Sequence, residues 1–115
     1  MHEVLLTGEI IKLPLWPTVR GKNVGPLLPD ATTYIDGCPV HWELDRATEG
    51  YKAVRSRMQV YLPQREPVIW CAPTEARMEG IWKHCRPLKD RGFFKVIGSD
   101  EVYDWQGNAY VFPAP

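Results

Sequence analysis

The segment "ATTYIDGCPVHWELD", residues 31–45, constrains the fold more than any other part of the chain. Asp36-Gly37 is a two-residue turn of the kind that closes β-hairpins, and the residues on both sides are rich in β-branched and aromatic types. We therefore predict a hairpin with one arm over residues 31–35 and the other over residues 39–45.

The second arm of this hairpin has two chemically different faces, because side chains alternate along a strand. The apolar face consists of Val40, Trp42 and Leu44. The polar face consists of His41, Glu43 and Asp45. The apolar face predicts packing against a core. The polar face places the carboxylates of Glu43 and Asp45 about 7 Å apart, given a rise of about 3.3 Å per residue.

A third acid, Asp30, begins the first arm and pairs close to Leu44 in the predicted register. Three carboxylates, those of Asp30, Glu43 and Asp45, are thus expected to converge at one end of the hairpin. Converging carboxylates repel each other unless a cation lies between them, and Mg²⁺ prefers hard oxygen ligands of this kind. The alternative is that acids at a strand end are simply exposed to solvent, with Arg46 forming a surface ion pair.

The rest of the chain predicts an α/β protein with a mixed sheet. Residues 2–14 are expected to be either extended or helical, with a strand favoured by the β-branched residues and Gly8. The other predicted elements are a loop rich in Pro and Gly over 14–29, a helix from Thr48 to about Leu62, a strand over 67–73, a helix over 75–85 capped by Thr74, and a strand with a closing hairpin over 92–113. A strand, helix and strand in succession predict a right-handed crossover between parallel strands. Residues 1–115 are expected to form a single domain.

Composition narrows the class of protein further. The chain has 14 acidic and 14 basic residues and a formal net charge of zero, so nucleic-acid binding would depend on local basic patches. No apolar run has the length of a membrane span and no signal peptide is apparent, which predicts a cytoplasmic protein without membrane contact. The cysteines at 38, 71 and 85 form no CxxC pair and are expected to be reduced.

Residues 28–82 resemble the PD-(D/E)xK nuclease superfamily, and most closely the nuclease-like domain of the replication-relaxation proteins of plasmids and mobile elements. The resemblance depends on "PDA" at residues 29–31, "ELDRATE" at 43–49, the amphipathic helix that follows, and the segments "PVIW" and "PTEAR". It implies a compact restriction-endonuclease-like sandwich. The implied function is that of a metal-dependent DNA endonuclease or a resolvase-like phosphodiester hydrolase of mobile-element or phage origin.

The resemblance also implies roles for individual residues. Asp30, Glu43 and Asp45 would be catalytic residues and ligands of Mg²⁺ or Mn²⁺, which polarises the scissile phosphate and lowers the pKa of the attacking water. Asp45 stands where the superfamily pattern has a Lys, and Lys52 is the nearest candidate to orient that water. This departure keeps a second hypothesis open, a catalytically silent module that binds nucleic acid or a replication protein. A third is a small interaction protein, such as a phage-encoded inhibitor.

The replication-relaxation proteins carry a winged-helix region ahead of this domain, and residues 1–28 hold no such pattern. The sandwich itself is therefore expected to contact DNA through exposed cations. The predicted nucleic-acid contacts are Arg20, Lys22, Arg46, Lys52 and Arg55, with Arg57, Arg77 and Lys83 as further candidates. A symmetric homodimer is the oligomer expected if the protein acts on two strands.

Overall fold

The computed structural model describes residues 8–10, 16–46 and 48–115. Within these ranges the chain forms a seven-stranded sheet in which each strand lies beside its neighbour in sequence. The strands are β1 (Thr18–Arg20), β2 (Ala31–Ile35), β3 (Cys38–Leu44), β4 (Val68–Ala72), β5 (Gly92–Val96), β6 (Val102–Tyr103) and β7 (Ala109–Tyr110); the helices are α1 (Tyr51–Tyr61), α2 (Glu75–His84) and a 3₁₀ segment, Arg86–Arg91.

The sheet is mixed, as the sequence predicts. Each of β1, β2 and β3 is antiparallel to the next, and β3, β4 and β5 are parallel. Strand β6 is antiparallel to β5, and β7 is antiparallel to β6. Parallel neighbours need a long crossover, and α1 supplies it between β3 and β4 while α2 and the 3₁₀ segment supply it between β4 and β5. The prediction of an α/β fold with a hairpin, two main helices and a C-terminal hairpin is confirmed at this level.

The hairpin turn follows from its two central residues. Asp36 has φ 50° and Gly37 has φ 78°, the pair of left-handed conformations that a type I′ turn requires. Ile35 consequently pairs with Cys38, and the ladder continues to Ala31 opposite Trp42. The turn thereby sets which β3 side chains lie on each face of the sheet.

Both faces of the sheet are covered. One face carries an apolar cluster that includes the predicted trio of β3, and the other packs beneath the two helices. The first cluster comprises Ile10, Ala31, Val40, Trp42, Leu44, Ile69, Cys71, Phe93, Val102 and Phe112; the second comprises Leu27, Val54, Met58, Tyr61, Val68, Trp70, Ala72, Ile81, Cys85, Leu88 and Phe94. The polar trio of β3 therefore points towards the helix layer.

Several element boundaries differ from the prediction. Helix α1 begins at Tyr51 with Gly50 as its N-cap, so Thr48 does not cap it, whereas the Thr74 side chain accepts the Arg77 amide at 3.2 Å and caps α2 as predicted. Strand β1 lies inside the predicted loop; a short edge strand tolerates nearby prolines because its outer amides need no partner.

Residues 8–10 are helical, so the favoured strand is wrong there and the helical alternative is correct; the remainder of residues 2–14 lies outside the described residues. Glu9 and Ile10 are buried, and Glu9 contacts the Lys95 ammonium on β5. The three cysteines are free thiols, as predicted. In the described part of the chain, no helix is both long enough and apolar enough to cross a bilayer.

Candidate functional site

The three predicted acids lie at the end of the sheet where β3 finishes. Asp30 precedes β2, Glu43 is near the end of β3, and Asp45 follows β3 directly. Glu43 is only 6% exposed and Asp45 only 2%. The alternative that the acids are exposed to solvent is therefore wrong for Glu43 and Asp45, since the helix layer covers this face of the strand, whereas Asp30 is half-buried.

The Asp45 carboxylate is held by a single arginine. Arg77 Nε donates to Oδ2 at 2.7 Å and Arg77 Nη2 donates to Oδ1 at 2.9 Å, and Nη2 also donates to the Glu49 carbonyl at 2.8 Å. This bidentate pairing raises the pKa of Arg77. Arg77 lies in the first turn of α2, so the pair attaches that helix to the end of β3.

The Glu43 carboxyl group lies between Tyr61 and Arg57, both on α1. The Tyr61 hydroxyl donates to Oε2 at 2.8 Å, while Arg57 Nε stands 3.5 Å from Oε1, too far for a strong hydrogen bond. Arg57 instead donates through Nη1 to Glu49 at 2.7 Å. Burial, and then the negative charge of Asp30, raise the pKa of Glu43 to about 7, against the opposing effects of Tyr61 and Arg57.

Asp30 joins the same end of the sheet through the backbone. Its Oδ2 accepts the Leu44 amide at 2.7 Å, and its own amide donates to the Trp42 carbonyl at 3.0 Å. Asp30 is close enough to Glu43 to raise the pKa of that residue. The predicted convergence therefore describes the pair Asp30 and Glu43, whereas Asp45 is engaged by Arg77.

These side chains fit a divalent metal poorly. Among the residues that the structure describes, no three His, Cys, Asp or Glu side chains are grouped as metal ligands would be. The guanidinium of Arg57 already provides a positive charge beside Glu43. Both Asp45 oxygens are hydrogen-bonded. Binding of Mg²⁺ or Mn²⁺ by Asp30, Glu43 and Asp45 stays a prediction.

Lys52, the predicted substitute for the superfamily lysine, is exposed in the first turn of α1. Within the described residues, no ion pair links it to Glu43 or Asp45; those acids pair with Arg57 and Arg77. Its proposed role in orienting a water molecule remains a prediction without a supporting contact.

Four exposed cations lie at the end of β1, just after β1 and β3, and in the first turn of α1, and we call them the basic rim: Arg20, Lys22, Arg46 and Lys52. Arg20 ends β1 opposite Ala31, and the Gly21 amide donates to the Asp30 carbonyl at 3.1 Å. Because β1 runs in the same direction as β3, the residues that follow the two strands lie at the same end of the sheet. Arg55, one turn further along α1, donates through Nη1 to His84 Nδ1 at 3.0 Å.

A small cleft opens beside Glu43. It has a volume of about 250 Å³ and is lined by Pro26, Leu27, Leu28, Glu43, Arg57, Val60 and Tyr61. The buried carboxyl group thus lines a cleft in which apolar side chains predominate.

The sequence predicted Arg57 and Arg77 only as further phosphate contacts and did not predict the ion pairs that both form. Both side chains are partly buried and pair with Glu49 and Asp45, respectively. The position of Arg77 could have indicated its pairing with Asp45. Arg77 lies in the first turn of the helix that follows β4, and β4 is the parallel neighbour of β3, so this turn and Asp45 lie at the same end of the sheet. Nothing in the residue pattern distinguished Arg57 from the exposed Arg55.

The fold and site therefore define an α/β protein with a mixed sheet, in which the buried acids Glu43 and Asp45 pair with Arg57 and Arg77. Comparison of the chain with protein-family models, curated protein sequences and solved structures found no significant match.

Proposed function

We propose that the chain is a nuclease-like module that binds nucleic acid without hydrolysing it. The observation that carries this proposal is the bidentate pairing of Asp45 with Arg77. Position 45 is where the PD-(D/E)xK pattern has the lysine that orients the attacking water. An aspartate that is ion-paired with an arginine cannot donate a proton or position a water in that way. We infer that the pair stabilises the fold instead.

The basic rim supports binding to phosphates. Its four cations are exposed, unlike Arg57 and Arg77, which are paired internally. Phosphate contacts come mostly from exposed Lys and Arg, and they need no net positive charge on the whole protein if the cations are concentrated at one place. A rim of charged side chains also fits a polyanion better than the apolar centre of a protein interface.

The binding proposal is tested by a titration of fluorescein-labelled DNA, single- and double-stranded, at two salt concentrations. Arg20→Gln and Lys52→Gln should each weaken binding and reduce the slope of log K against log salt by about 1, as the loss of one phosphate contact does. The matched control is Arg65→Gln. Arg65 is exposed and precedes β4, so it lies at the end of the sheet opposite to the basic rim. Equal losses for all three variants, or an unchanged slope for the rim variants, would contradict the proposal.

A second candidate is metal-dependent DNA hydrolysis at Asp30 and Glu43. It is favoured by the Glu43 carboxyl, whose pKa of about 7 and position beside Asp30 in a cleft are typical of functional sites. In this candidate, a divalent cation would bind to that pair and supply the Lewis acid.

Supercoiled-plasmid nicking with Mg²⁺ or Mn²⁺ distinguishes the candidates, with EDTA and Glu43→Gln as controls. The binding proposal expects no nicking beyond that of Glu43→Gln. Nicking that is abolished both by EDTA and by Glu43→Gln would establish the hydrolase instead. Millimolar Mg²⁺ would then also raise the melting temperature of the parent, because a ligand bound only by the folded state stabilises it.

A further inference from the structure

A second and larger cleft, of about 670 Å³, lies between α2 and the C-terminal strands. Its size is within the range of ligand pockets. None of its lining residues belongs to the cleft beside Glu43. The apolar surfaces of this cleft come from Met78, Trp82, Phe94, Val96 and Tyr103.

The two walls of the cleft are held in place by hydrogen bonds. One wall is a face of α2, and the other comprises residues of β5, β6 and the β6–β7 turn. Trp82 Nε1 donates to the Trp105 carbonyl at 2.7 Å and joins the walls. Asp104 Oδ1 accepts the amides of Gln106 and Asn108, each at 2.9 Å, which orders the turn. The cleft is therefore preformed, and a ligand would not have to organise it.

The charges at the rim of the cleft are mostly negative. Glu75 and Glu79 lie one helical turn apart on α2, and Asp104 lies on the opposite wall. Within the described residues, the Glu75 and Glu79 carboxylates take part in no hydrogen bond or ion pair. Acids above an aromatic and thioether surface favour a cationic side chain, which gains both Coulombic and cation–π attraction.

The shape of the cleft selects the kind of ligand. Its α2 wall extends from Glu75 to Lys83, a distance of about 12 Å at about 1.5 Å per residue. An extended peptide covers that distance with about four residues at about 3.3 Å each. Lys83 lies at the end of the α2 wall away from Glu75, so that wall carries two acids followed by one basic residue.

We propose that this cleft binds an extended segment of a protein partner, with an arginine side chain lodged between the acids of α2 and Asp104. The proposal is independent of nucleic-acid binding at the basic rim, because the two surfaces share no residue. The ammonium group of Lys83 disfavours a second basic residue in the bound peptide, about three positions from the arginine.

The probe is a fluorescein-labelled hexapeptide of alanines with one arginine, measured by fluorescence anisotropy against the same peptide with a glutamate in place of the arginine. Glu79→Lys should weaken binding of the arginine peptide about tenfold, as expected for one reversed close charge. Lys83→Glu should strengthen it. The control Asp90→Lys makes the same charge reversal at an exposed residue of the 3₁₀ segment, outside the cleft, and should leave the affinity unchanged.

All three substituted side chains are exposed, and a thermal melt confirms that each variant is folded. The proposal fails if the glutamate peptide binds equally well, if Asp90→Lys weakens binding as much as Glu79→Lys, or if no saturable binding occurs. N-acetylarginine amide serves as a competitor. If it binds as tightly as the peptide, the cleft is a small-cation pocket and the proposed peptide surface is wrong.

Discussion

At the scale of single residues, the buried pair of Asp45 and Arg77 is the contact most sensitive to change. The Asp45 side chain is fully buried and that of Arg77 is 13% exposed. Arg77→Met keeps the aliphatic volume but leaves a carboxylate buried without a partner. We expect it to lower the free energy of unfolding by about 3 kcal/mol, measured by urea denaturation.

The matched control for this substitution is Arg55→Met, at an exposed position on α1. It should change the free energy of unfolding by less than about 0.5 kcal/mol. If Arg77→Met is as mild as this control, Asp45 is not held by Arg77 in solution.

Glu43 makes stability depend on pH. Its pKa is about 7 in the folded chain against an ordinary 4.5, so the folded state retains a proton that the unfolded state loses. Stability should therefore fall as pH rises from about 4.5 to about 7 and level off above that range. As the pH rises through this interval, the free energy of unfolding of Glu43→Gln should increase relative to that of the parent by up to about 3 kcal/mol, because glutamine does not ionise.

Chemical denaturation at pH 4.5, 6 and 8 measures this difference, with Glu79→Gln on the exposed face of α2 as the control. The control should follow the parent at every pH. A constant difference between Glu43→Gln and the parent would mean that Glu43 has an ordinary pKa.

At the scale of elements, α1 and α2 approach each other at a glycine. A Cβ atom built on Gly80 would lie 1.9 Å from the Tyr51 hydroxyl. The Tyr51 ring is held by its neighbours, since His84 stacks on it at 4.6 Å and the Arg77 guanidinium lies 4.5 Å from its centre. Gly80→Ala normally stabilises a helix by about 1 kcal/mol; here we expect a loss of about 1–3 kcal/mol from the clash.

The test of this contact is a double-mutant cycle read by the melting temperature. On a Tyr51→Ala background the ring is absent, so Gly80→Ala should become neutral or stabilising. If Gly80→Ala is equally harmful on both backgrounds, the helices do not meet at Tyr51.

At the scale of the whole molecule, the sheet face opposite α1 and α2 is closed by residues from both ends of the described chain. Ile10 and Phe112 complete that apolar cluster, and Trp16 Nε1 donates to the Pro113 carbonyl at 2.7 Å. Phe112 is 5% exposed and its ring lies 5.1 Å from that of Phe93. The C-terminal segment therefore belongs to the core although it forms no regular element.

Phe112→Ala should consequently lower the free energy of unfolding by about 3–5 kcal/mol, the usual effect of emptying a buried aromatic site. Its neighbour Val111 is 87% exposed and provides the control, since Val111→Ala should be nearly neutral. Urea denaturation measures both. Similar small effects at the two positions would show that the C-terminal segment does not pack on the sheet.

The sequence by itself determined the local elements. The Asp36-Gly37 turn, the alternation along β3, the Thr74 cap and the parallel strands around α1 all follow from short-range rules, because turn dihedrals, side-chain alternation and capping depend on a few adjacent residues. The same rules failed at Thr48 and at residues 8–10, where the boundaries depend on what the segment packs against.

Only the tertiary structure decided what the acids of β3 do. Alternation predicted that Glu43 and Asp45 share a face, but no local pattern shows whether that face meets water, a metal or a helix. Arg77 reaches Asp45 from 32 positions along the chain, after α1 and β4 have returned it to the end of β3. Burial then raises the pKa of Glu43 while leaving Asp45 ion-paired, because a buried charge needs a partner and only Asp45 has a bidentate one.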